Sequence, residues 1–333
     1  MVILSRLDEI LKLLLSFDGI SRKFVLPSII DKLRQESFNG NTPHSLGEDS
    51  AAIGTDSDEY VLLTTDAIVE ELCLNFPQAA GFNAVLANMM DIYAAGGTPT
   101  SFAVALSYSD SQVGNALLEG LIIGSQTFRV PIVRGHTNPH SNSTYVVGSA
   151  TGTVMKDALL TAGGAESGNL LVLLFDKVGR RGENYRLGWD SVTGRSSDDV
   201  VLRLSVMNDL AHKHLLTAAK DVSVAGVIGT AGMMLEYSGC GGTLDLDALD
   251  SSCPSDIPLT DWIRMFISLG FLVATSEKNF SEVKQTAEGH GLSIAVIGHT
   301  DDSTSVKLKL GDDTRIIFDF SKGGVFTPKN ANT

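Results

Sequence analysis

The chain has 333 residues, of which 43% are hydrophobic and 19% are charged, and its formal net charge at pH 7 is −14. This length suits about two domains, and the composition excludes general disorder. The negative charge argues against a nucleic-acid partner, because clustered Lys and Arg hold phosphate backbones. The three cysteines form no Cys-x-x-Cys pair, which favours a reducing, cytoplasmic compartment.

The first predicted element is an amphipathic helix close to the N terminus. Its apolar residues recur at helical spacing, and Asp8, Glu9 and Lys12 lie among them. These charges argue against a signal peptide and a membrane span, so we expect no membrane partner. A second helical stretch follows near residues 27–36.

Strands and helices then alternate and predict an α/β unit that ends at residue 155. Pro77 suits the first turn of a helix that Gly96 and Gly97 end. The predicted strands are 60–67, 100–109, 130–135 and 144–154, and the predicted helices are 77–95 and 111–128.

A Gly-rich join at residues 156–169 leads into a second predicted unit, so the expected domains are 1–155 and 156–333. The second unit begins with an apolar strand at 170–179. Helices are predicted near 197–218 and 221–238, and strands at 242–248, 270–276, 292–300, 305–310 and 314–320.

Acidic residues recur at the ends of strands and inside one apolar helix. Asp66 ends a strand, Asp49 precedes small residues, and Asp91 lies among Met and Ile side chains. A buried, unpaired carboxylate is costly, so this pattern favours a cation site with Asn88 one helical turn before Asp91. The alternative is that each Asp caps a helix or lies on the surface. Glu48 is expected to face solvent.

Two further segments suggest phosphate contacts. Arg134, Gly135, His136 and Thr137 follow a predicted strand, where backbone amides and a basic side chain can meet an anion. Taken alone, His136 is more often a structural residue than a catalyst. The glycines at 226, 229 and 232 either admit a phosphate or allow close helix packing, and Asp221, just before them, is another acidic candidate.

These motifs together resemble the PurM-like ATP-binding superfamily of aminoimidazole-ribonucleotide synthetase, which includes selenophosphate synthetase and thiamine-monophosphate kinase. The segment EDSAAIG at 48–54 resembles Asp-Asp-Ala-Ala-Val, with Asp49 on the first Asp and Ser50 on the second. NMMDIYAAGG at 88–97 resembles Asn-x-x-Asp-x-x-Ala-x-Gly. RGHT at 134–137 stands where the kinase has Gly-Gly-Asp-Thr, and DVSVAGVIG at 221–229 resembles the synthetase.

The resemblance implies an α/β (α+β) fold of two domains. The first domain, 1–155, would bind ATP and Mg²⁺ and pair across a twofold axis into a shared strand barrel, with 100–109 as the candidate edge strand. The C-terminal α/β domain, 156–333, would close the ATP site. The implied metal ligands are Asp49, Asp91 and Asp221. The implied cofactor-binding residues are Asp66, Asn88, Arg134, Gly135, His136 and Thr137.

The implied activity is ATP- and Mg²⁺-dependent phosphoryl transfer to an unidentified small metabolite by a homodimer. One alternative is a thiamine-monophosphate kinase. Another is a non-catalytic, nucleotide-binding regulatory subunit, because Ser50 and Arg134 depart from the family pattern. Selenide chemistry is not expected, because no cysteine precedes Cys73 and Lys23 is the only loosely comparable lysine.

Overall fold

The structure is a computed structural model that describes residues 5–139 and 141–328. Its helices are α1 (Arg6–Leu15), α2 (Asp18–Ser21), α3 (Leu26–Glu36), α4 (Glu70–Asn75), α5 (Pro77–Ala94), α6 (Ser111–Phe128), α7 (Ser197–Leu204), α8 (Val206–His212), α9 (Gly226–Ser238), α10 (Leu246–Ser252), α11 (Leu259–Trp262) and α12 (Glu277–Gly289). Short 3₁₀ helices span Arg22–Val25, Lys156–Ala158 and Phe320–Lys322.

The strands form three sheets. They are β1 (Ala51–Gly54), β2 (Glu59–Ala67), β3 (Thr98–Tyr108), β4 (Ile132–Pro139), β5 (Tyr145–Met155), β6 (Leu170–Phe175), β7 (Arg180–Arg181), β8 (Gly188–Asp190), β9 (Ala218–Asp221), β10 (Gly241–Asp245), β11 (Phe266–Ile267), β12 (Phe271–Thr275), β13 (Ser293–Asp301), β14 (Ser305–Leu310) and β15 (Asp313–Asp319). The sheet orders are β1-β2-β5-β3-β4, β15-β14-β10-β13-β6-β12-β9 and β11-β8-β7.

The first unit is the five-stranded sheet with α5 and α6 packed on one face. Along β5, buried residues alternate with partly exposed ones, as expected for a sheet covered on one side only. The two helices approach closely at Gly120, which has no side chain. A Cβ at this position would lie 1.9 Å from the carbonyl oxygen of Gln78. The helix predicted at 111–128 is confirmed.

The sheet has β1 at one edge and β4 at the other, and the residues of β4 are exposed along its whole length. The prediction that 100–109 forms the edge is wrong, because β3 lies between β5 and β4. Strand order depends on contacts between distant parts of the chain, which local periodicity does not report.

The second unit is built on the seven-stranded sheet, and the N-terminal helices pack against it. Leu7, Ile10, Leu14 and Ile20 are buried in one apolar cluster with residues of α9, β14 and β15. The predicted boundary at 155/156 stays a prediction. The residues before β1 nevertheless contact the second unit, although that prediction grouped them with the first.

Three predicted elements of the second unit differ from the structure. The helix predicted near 197–218 is confirmed only in part: two helices, α7 and α8, cover 197–204 and 206–212, while Ala218–Asp221 form β9, which pairs with β12. The helix predicted from 221 begins at Gly226. The strand predicted over 242–248 ends at Asp245, because this side chain accepts hydrogen bonds from the first amides of α10.

The glycines of α9 serve helix packing. A Cβ on Gly229 would lie 3.0 Å from Cγ1 of Ile20, and a Cβ on Gly232 would lie 2.7 Å from the ring of Phe318. Gly226 has φ +69°, a left-handed conformation that favours glycine, and faces the backbone of Arg264. Of the two explanations for this spacing, close packing is the one the structure supports.

A short C-terminal segment is fastened to α9 by one carboxylate. Glu236 accepts hydrogen bonds from the amides of Val325, Phe326 and Thr327 at 2.7, 2.6 and 3.0 Å. The ring of Phe326 also lies 5.8 Å from the ring of Phe24, which follows α2. This segment therefore packs against the N-terminal region through the contact between Phe326 and Phe24.

In the part of the chain that the structure describes, every helix is too short or too polar to cross a lipid bilayer.

Candidate active site

Three aspartates from distant parts of the chain meet between the two units. Asp49 precedes β1, Asp91 lies in α5, and Asp221 ends β9. One carboxylate oxygen of each lies within 4.8 Å of the others. The structure therefore brings together the three residues that the sequence analysis assigned to a metal.

A buried lysine lies beside this carboxylate cluster. Lys220 is 5% exposed and forms an ion pair with Oδ1 of Asp49, while the amide of Asp221 donates to Oδ2 at 3.3 Å. Burial disfavours the charged form of Lys220, but the charges of Asp49 and Asp221 outweigh this effect and raise the pKa of its ammonium group. Lys220 thus stays protonated and fixes the position of Asp49.

The other two carboxylates carry an unfavourable excess of negative charge. Burial, and then repulsion by Asp66, Asp221 and Asp49, raises the pKa of Asp91 well above its usual range. Burial and the charge of Asp49 raise the pKa of Asp221 to about 8. The hydroxyl of Thr64 donates to Oδ2 of Asp91 and orients it. Without a further cation, protons must neutralise part of this cluster.

Glu48 and Ser50, the neighbours of Asp49, both face the protein. The expectation that Glu48 faces solvent is wrong: its Oε2 accepts a hydrogen bond from the amide of Ala162 at 2.8 Å, and burial raises its pKa to about 7. Ser50 is 4% exposed, and among the described residues its Oγ has no hydrogen-bond partner.

A cavity of about 1520 Å³ opens beside the cluster. Asp66, Asp91 and Asp221 line it, together with α4 and α5 on one side and the segment from β7 to residue 195 on the other. The N-terminal segment from Phe17 to Leu26 completes the wall. The cavity is large enough for a nucleotide and a second small molecule.

The predicted cofactor-binding residues fall into two groups. Asp66 lines the cavity, and its charge helps to raise the pKa of Asp91. Asn88 is fully buried and does not line the cavity; its amide donates to the carbonyl of Ala84 at 2.8 Å and packs against Gly148. Its Oδ1 has no hydrogen-bond partner among the described residues, and its assignment to the cofactor stays a prediction.

Arg134, Gly135, His136 and Thr137 lie away from the carboxylates, exposed on the edge strand β4. Asp66 on β2 aligns with Gly135 through one row of residues across β5 and β3. Three strand spacings of about 4.8 Å separate these two backbones by roughly 14 Å. A single chain therefore does not bring this segment to the cluster.

Sequence reasoning missed two parts of the site. Lys220 stands directly before Asp221 in the chain, and a lysine inside the apolar run of β9 was the available signal. Thr64 left no usable signal, because threonine is an ordinary strand residue.

The donor set of the cluster fits a divalent cation. Mg²⁺ binds through a few carboxylate oxygens together with phosphate oxygens. The repulsion that raises the pKa values of Asp91 and Asp221 would be relieved by such an ion, whereas Lys220 pairs directly with Asp49 and offsets the charge of Asp221 only in part. The residues present therefore suit the metal that the motifs imply.

The fold and the carboxylate cluster define a two-domain α+β protein of the PurM-like class. The family models for AIR synthase related protein match this chain, the N-terminal domain over residues 47–154 and the C-terminal domain over 159–311. An uncharacterized protein of Methanocaldococcus jannaschii is 30% identical over 318 residues, which cover 95% of this chain and 98% of that protein. The chain therefore belongs to the AIR synthase related family.

Solved structures share this fold. T. maritima PurL complexed with ATP gives a TM-score of 0.69 at 15% identity, over 93% of this chain and 54% of that chain. AaThiL complexed with AMPPCP and TMP gives a TM-score of 0.62 at 17% identity, over 87% of this chain and 96% of that chain. This chain thus spans about half the length of PurL. The predicted two-domain fold is confirmed, while the shared barrel of a dimer stays a prediction.

Proposed function

We propose that this protein is an ATP- and Mg²⁺-dependent phosphoryl-transfer enzyme that acts on a small metabolite. The observation that carries the proposal is the convergence of Asp49, Asp91 and Asp221 within 4.8 Å, beside a cavity of about 1520 Å³. Phosphoryl transfer needs positioning and charge neutralisation above all, and little covalent chemistry from the protein.

In this proposal the three aspartates hold Mg²⁺, which would neutralise the phosphate oxygens of the nucleotide when bound. Lys220 keeps Asp49 ionised and in place, and the Thr64 hydroxyl orients Asp91. The walls of the cavity exclude water from the reacting groups. ATP as the nucleotide is supported by the complexes of PurL with ATP and of AaThiL with AMPPCP.

We further propose a homodimer, in which residues 134–137 of β4 contribute to the nucleotide site of a partner subunit. The exposed, unpaired edge of β4 supports this arrangement, since such edges are usually covered. It would also explain why these residues lie roughly 14 Å from Asp66 within one chain. A cytoplasmic location remains a prediction.

Calorimetry tests nucleotide binding. We expect ATP to bind with Mg²⁺ or Mn²⁺ and to bind much more weakly in excess EDTA, because the acidic cluster repels a bare triphosphate. Equal affinity in both conditions would contradict the proposal.

A screen of metabolites for stimulated ADP release then tests turnover. A nucleotide-binding protein that no metabolite stimulates would instead fit a regulatory subunit.

Thiamine-monophosphate kinase is the second candidate. It is supported by AaThiL complexed with AMPPCP and TMP, of which this chain covers 96%. Incubation with ATP, Mg²⁺ and TMP, followed by detection of the diphosphate by ³¹P NMR, decides between the two. No product at high enzyme concentration would exclude this candidate and leave the broader proposal standing.

A further inference from the structure

Two basic side chains in the cavity have no counter-ion among the described residues. Among the described residues, Arg22, Lys23, Arg180 and Arg195 are the basic side chains that line it. Arg180 pairs with Glu183 and Asp190, and Arg195 pairs with Asp176 and Asp199. Arg22 and Lys23 form no ion pair with any residue in the described parts of the chain. Their charges are therefore available to a ligand.

Lys23 lines the same cavity as the carboxylates of Asp66, Asp91 and Asp221. Burial, and then the charges of Arg22 and Lys220, lower the pKa of its ammonium group, while Asp221 and Asp66 act in the opposite direction. These two acids are close enough to influence Lys23 and do not pair with it. A partly buried ammonium group without a hydrogen-bonded anion is costly.

The segment that carries Lys23 is held on both sides. Ile20 is fully buried against Gly229 of α9, and Phe24 lies against Phe326. Gly19 approaches so closely that a Cβ there would lie 2.1 Å from the carbonyl oxygen of Val224. The position of Lys23 is thus built into the packing, unlike that of a lysine on a solvated loop.

We propose that Lys23 and Arg22 form an anion-binding site for a phosphoryl group held opposite the carboxylate cluster. This inference rests on the proposed function, because a divalent cation at the cluster would engage Asp221 and leave Lys23 as an uncompensated positive charge. The phosphoryl group belongs either to the nucleotide or to a phosphorylated acceptor. Whether it comes from the nucleotide or from the acceptor, the same oxyanion would lie between the metal and the ammonium group of Lys23.

Inorganic phosphate is the probe, titrated calorimetrically in the presence of Mg²⁺. Lys23→Met removes the charge and keeps most of the aliphatic stem, Lys23→Arg keeps the charge, and Lys32→Met removes a lysine from the exposed side of α3 as a matched control. Because Lys23→Met loses a charged hydrogen bond to the anion, we expect it to bind phosphate roughly tenfold more weakly or worse. We expect Lys23→Arg to retain most of the affinity and Lys32→Met to match the wild type.

The same titrations with Mg²⁺–AMPPCP distinguish the two sources of the phosphoryl group. Weaker binding in Lys23→Met assigns the site to the nucleotide; unchanged nucleotide affinity with weakened phosphate binding assigns it to the acceptor. Phosphate affinity that is equal in Lys23→Met and Lys32→Met, or no phosphate binding by the wild type, would overturn the inference.

Binding of Mn²⁺ alone, followed by electron paramagnetic resonance, keeps this inference separate from the proposed function. Lys23→Met should bind Mn²⁺ at least as well as the wild type, because it removes a positive charge near the cluster. Thermal melting of each variant verifies folding. Loss of phosphate binding with intact Mn²⁺ binding is the expected pair of results, and loss of both would count against a separate anion site.

Discussion

Asp49 and Lys220, which are 171 residues apart in the chain, form a buried ion pair that joins the first sheet to the second. Both side chains are largely removed from solvent, with exposed fractions of 12% and 6%. Asp91, the neighbouring carboxylate, is held by the hydroxyl of Thr64 and has no cationic partner among the described residues. The two aspartates should therefore respond differently to the same substitution.

Asp49→Asn should destabilise the protein strongly in the absence of metal. The substitution leaves the ammonium group of Lys220 buried with its closest counter-ion removed, and breaking a buried pair in this way costs on the order of 3 kcal/mol. Urea unfolding monitored by circular dichroism measures the change. A loss below about 0.5 kcal/mol, typical of a surface site, would mean that the pair is not buried in solution.

Asp91→Asn should leave the metal-free protein almost unchanged. Since the pKa of Asp91 is raised well above its usual range, its protonated form resembles asparagine in shape and charge. We expect a change smaller than about 1 kcal/mol. With Mg²⁺–ATP the wild type should gain thermal stability by mass action and the variant should gain much less. A variant that melts far below wild type without ligand would remove Asp91 from the metal site.

Stability without metal should fall as pH rises from 5 to 8. The folded-state pKa values of Asp221 and Glu48, about 8 and about 7, lie above their ordinary values of 3.8 and 4.5, so the folded protein binds more protons than the unfolded chain. The stabilisation that these two protonated carboxyl groups give the folded state is fully present below pH 4. It is lost as the pH rises through their folded-state pKa values. Denaturant unfolding at several pH values measures the slope, which Glu48→Gln should reduce.

Gly19→Ala should destabilise the protein and weaken phosphate binding together. The added Cβ meets the carbonyl oxygen of Val224 at 2.1 Å, so the segment with Lys23 must shift, at a cost of about 1–3 kcal/mol. Gly289→Ala is the control, because nothing lies within 4 Å of a Cβ at that position. If Gly19→Ala binds phosphate as the wild type does, the packing around Gly19 does not position Lys23.

Val133→Lys should shift the protein from dimer to monomer if β4 forms the subunit contact. Val133 is 62% exposed on this strand, and a charge there would be buried in the interface. Light scattering should give about twice the chain mass of 35.4 kDa for the wild type and about that mass for the variant. Val178→Lys, at a 75% exposed position of the second unit, should leave the mass unchanged. A monomeric wild type would contradict the dimer.

The three metal candidates could be predicted because each lies in a short motif whose unusual character is local. An acid inside an apolar helix, such as Asp91, is visible without any knowledge of the fold. The lysine inside β9 was a local signal for Lys220, but its role could not be assigned from that signal, because the role comes from Asp49, which lies far away in the chain. Arg134 shows the limit of a local motif: strand order places it on an edge away from the cluster of its own chain, so its role in nucleotide binding stays a prediction.

The second unit was predicted less accurately than the first for a related reason. The residues from 213 to 221 include two alanines and several helix-compatible side chains, so propensity alone favours a helix there. Pairing of Ala218–Asp221 with β12 overrides this preference and creates the strand that carries Lys220 and Asp221. The helix prediction failed where the chain forms part of the site.

The C-terminal segment has a mechanical role, because it holds part of the cavity wall in place. Three backbone amides at 325–327 anchor it to Glu236, and Phe326 braces Phe24, the residue after Lys23. Phe326 therefore connects Glu236, through its backbone amide, to the cavity wall, through its ring contact with Phe24. Truncation after Gly323, or a purification tag that strains the segment, would thus loosen the cavity wall around Lys23 while leaving every acidic ligand in place.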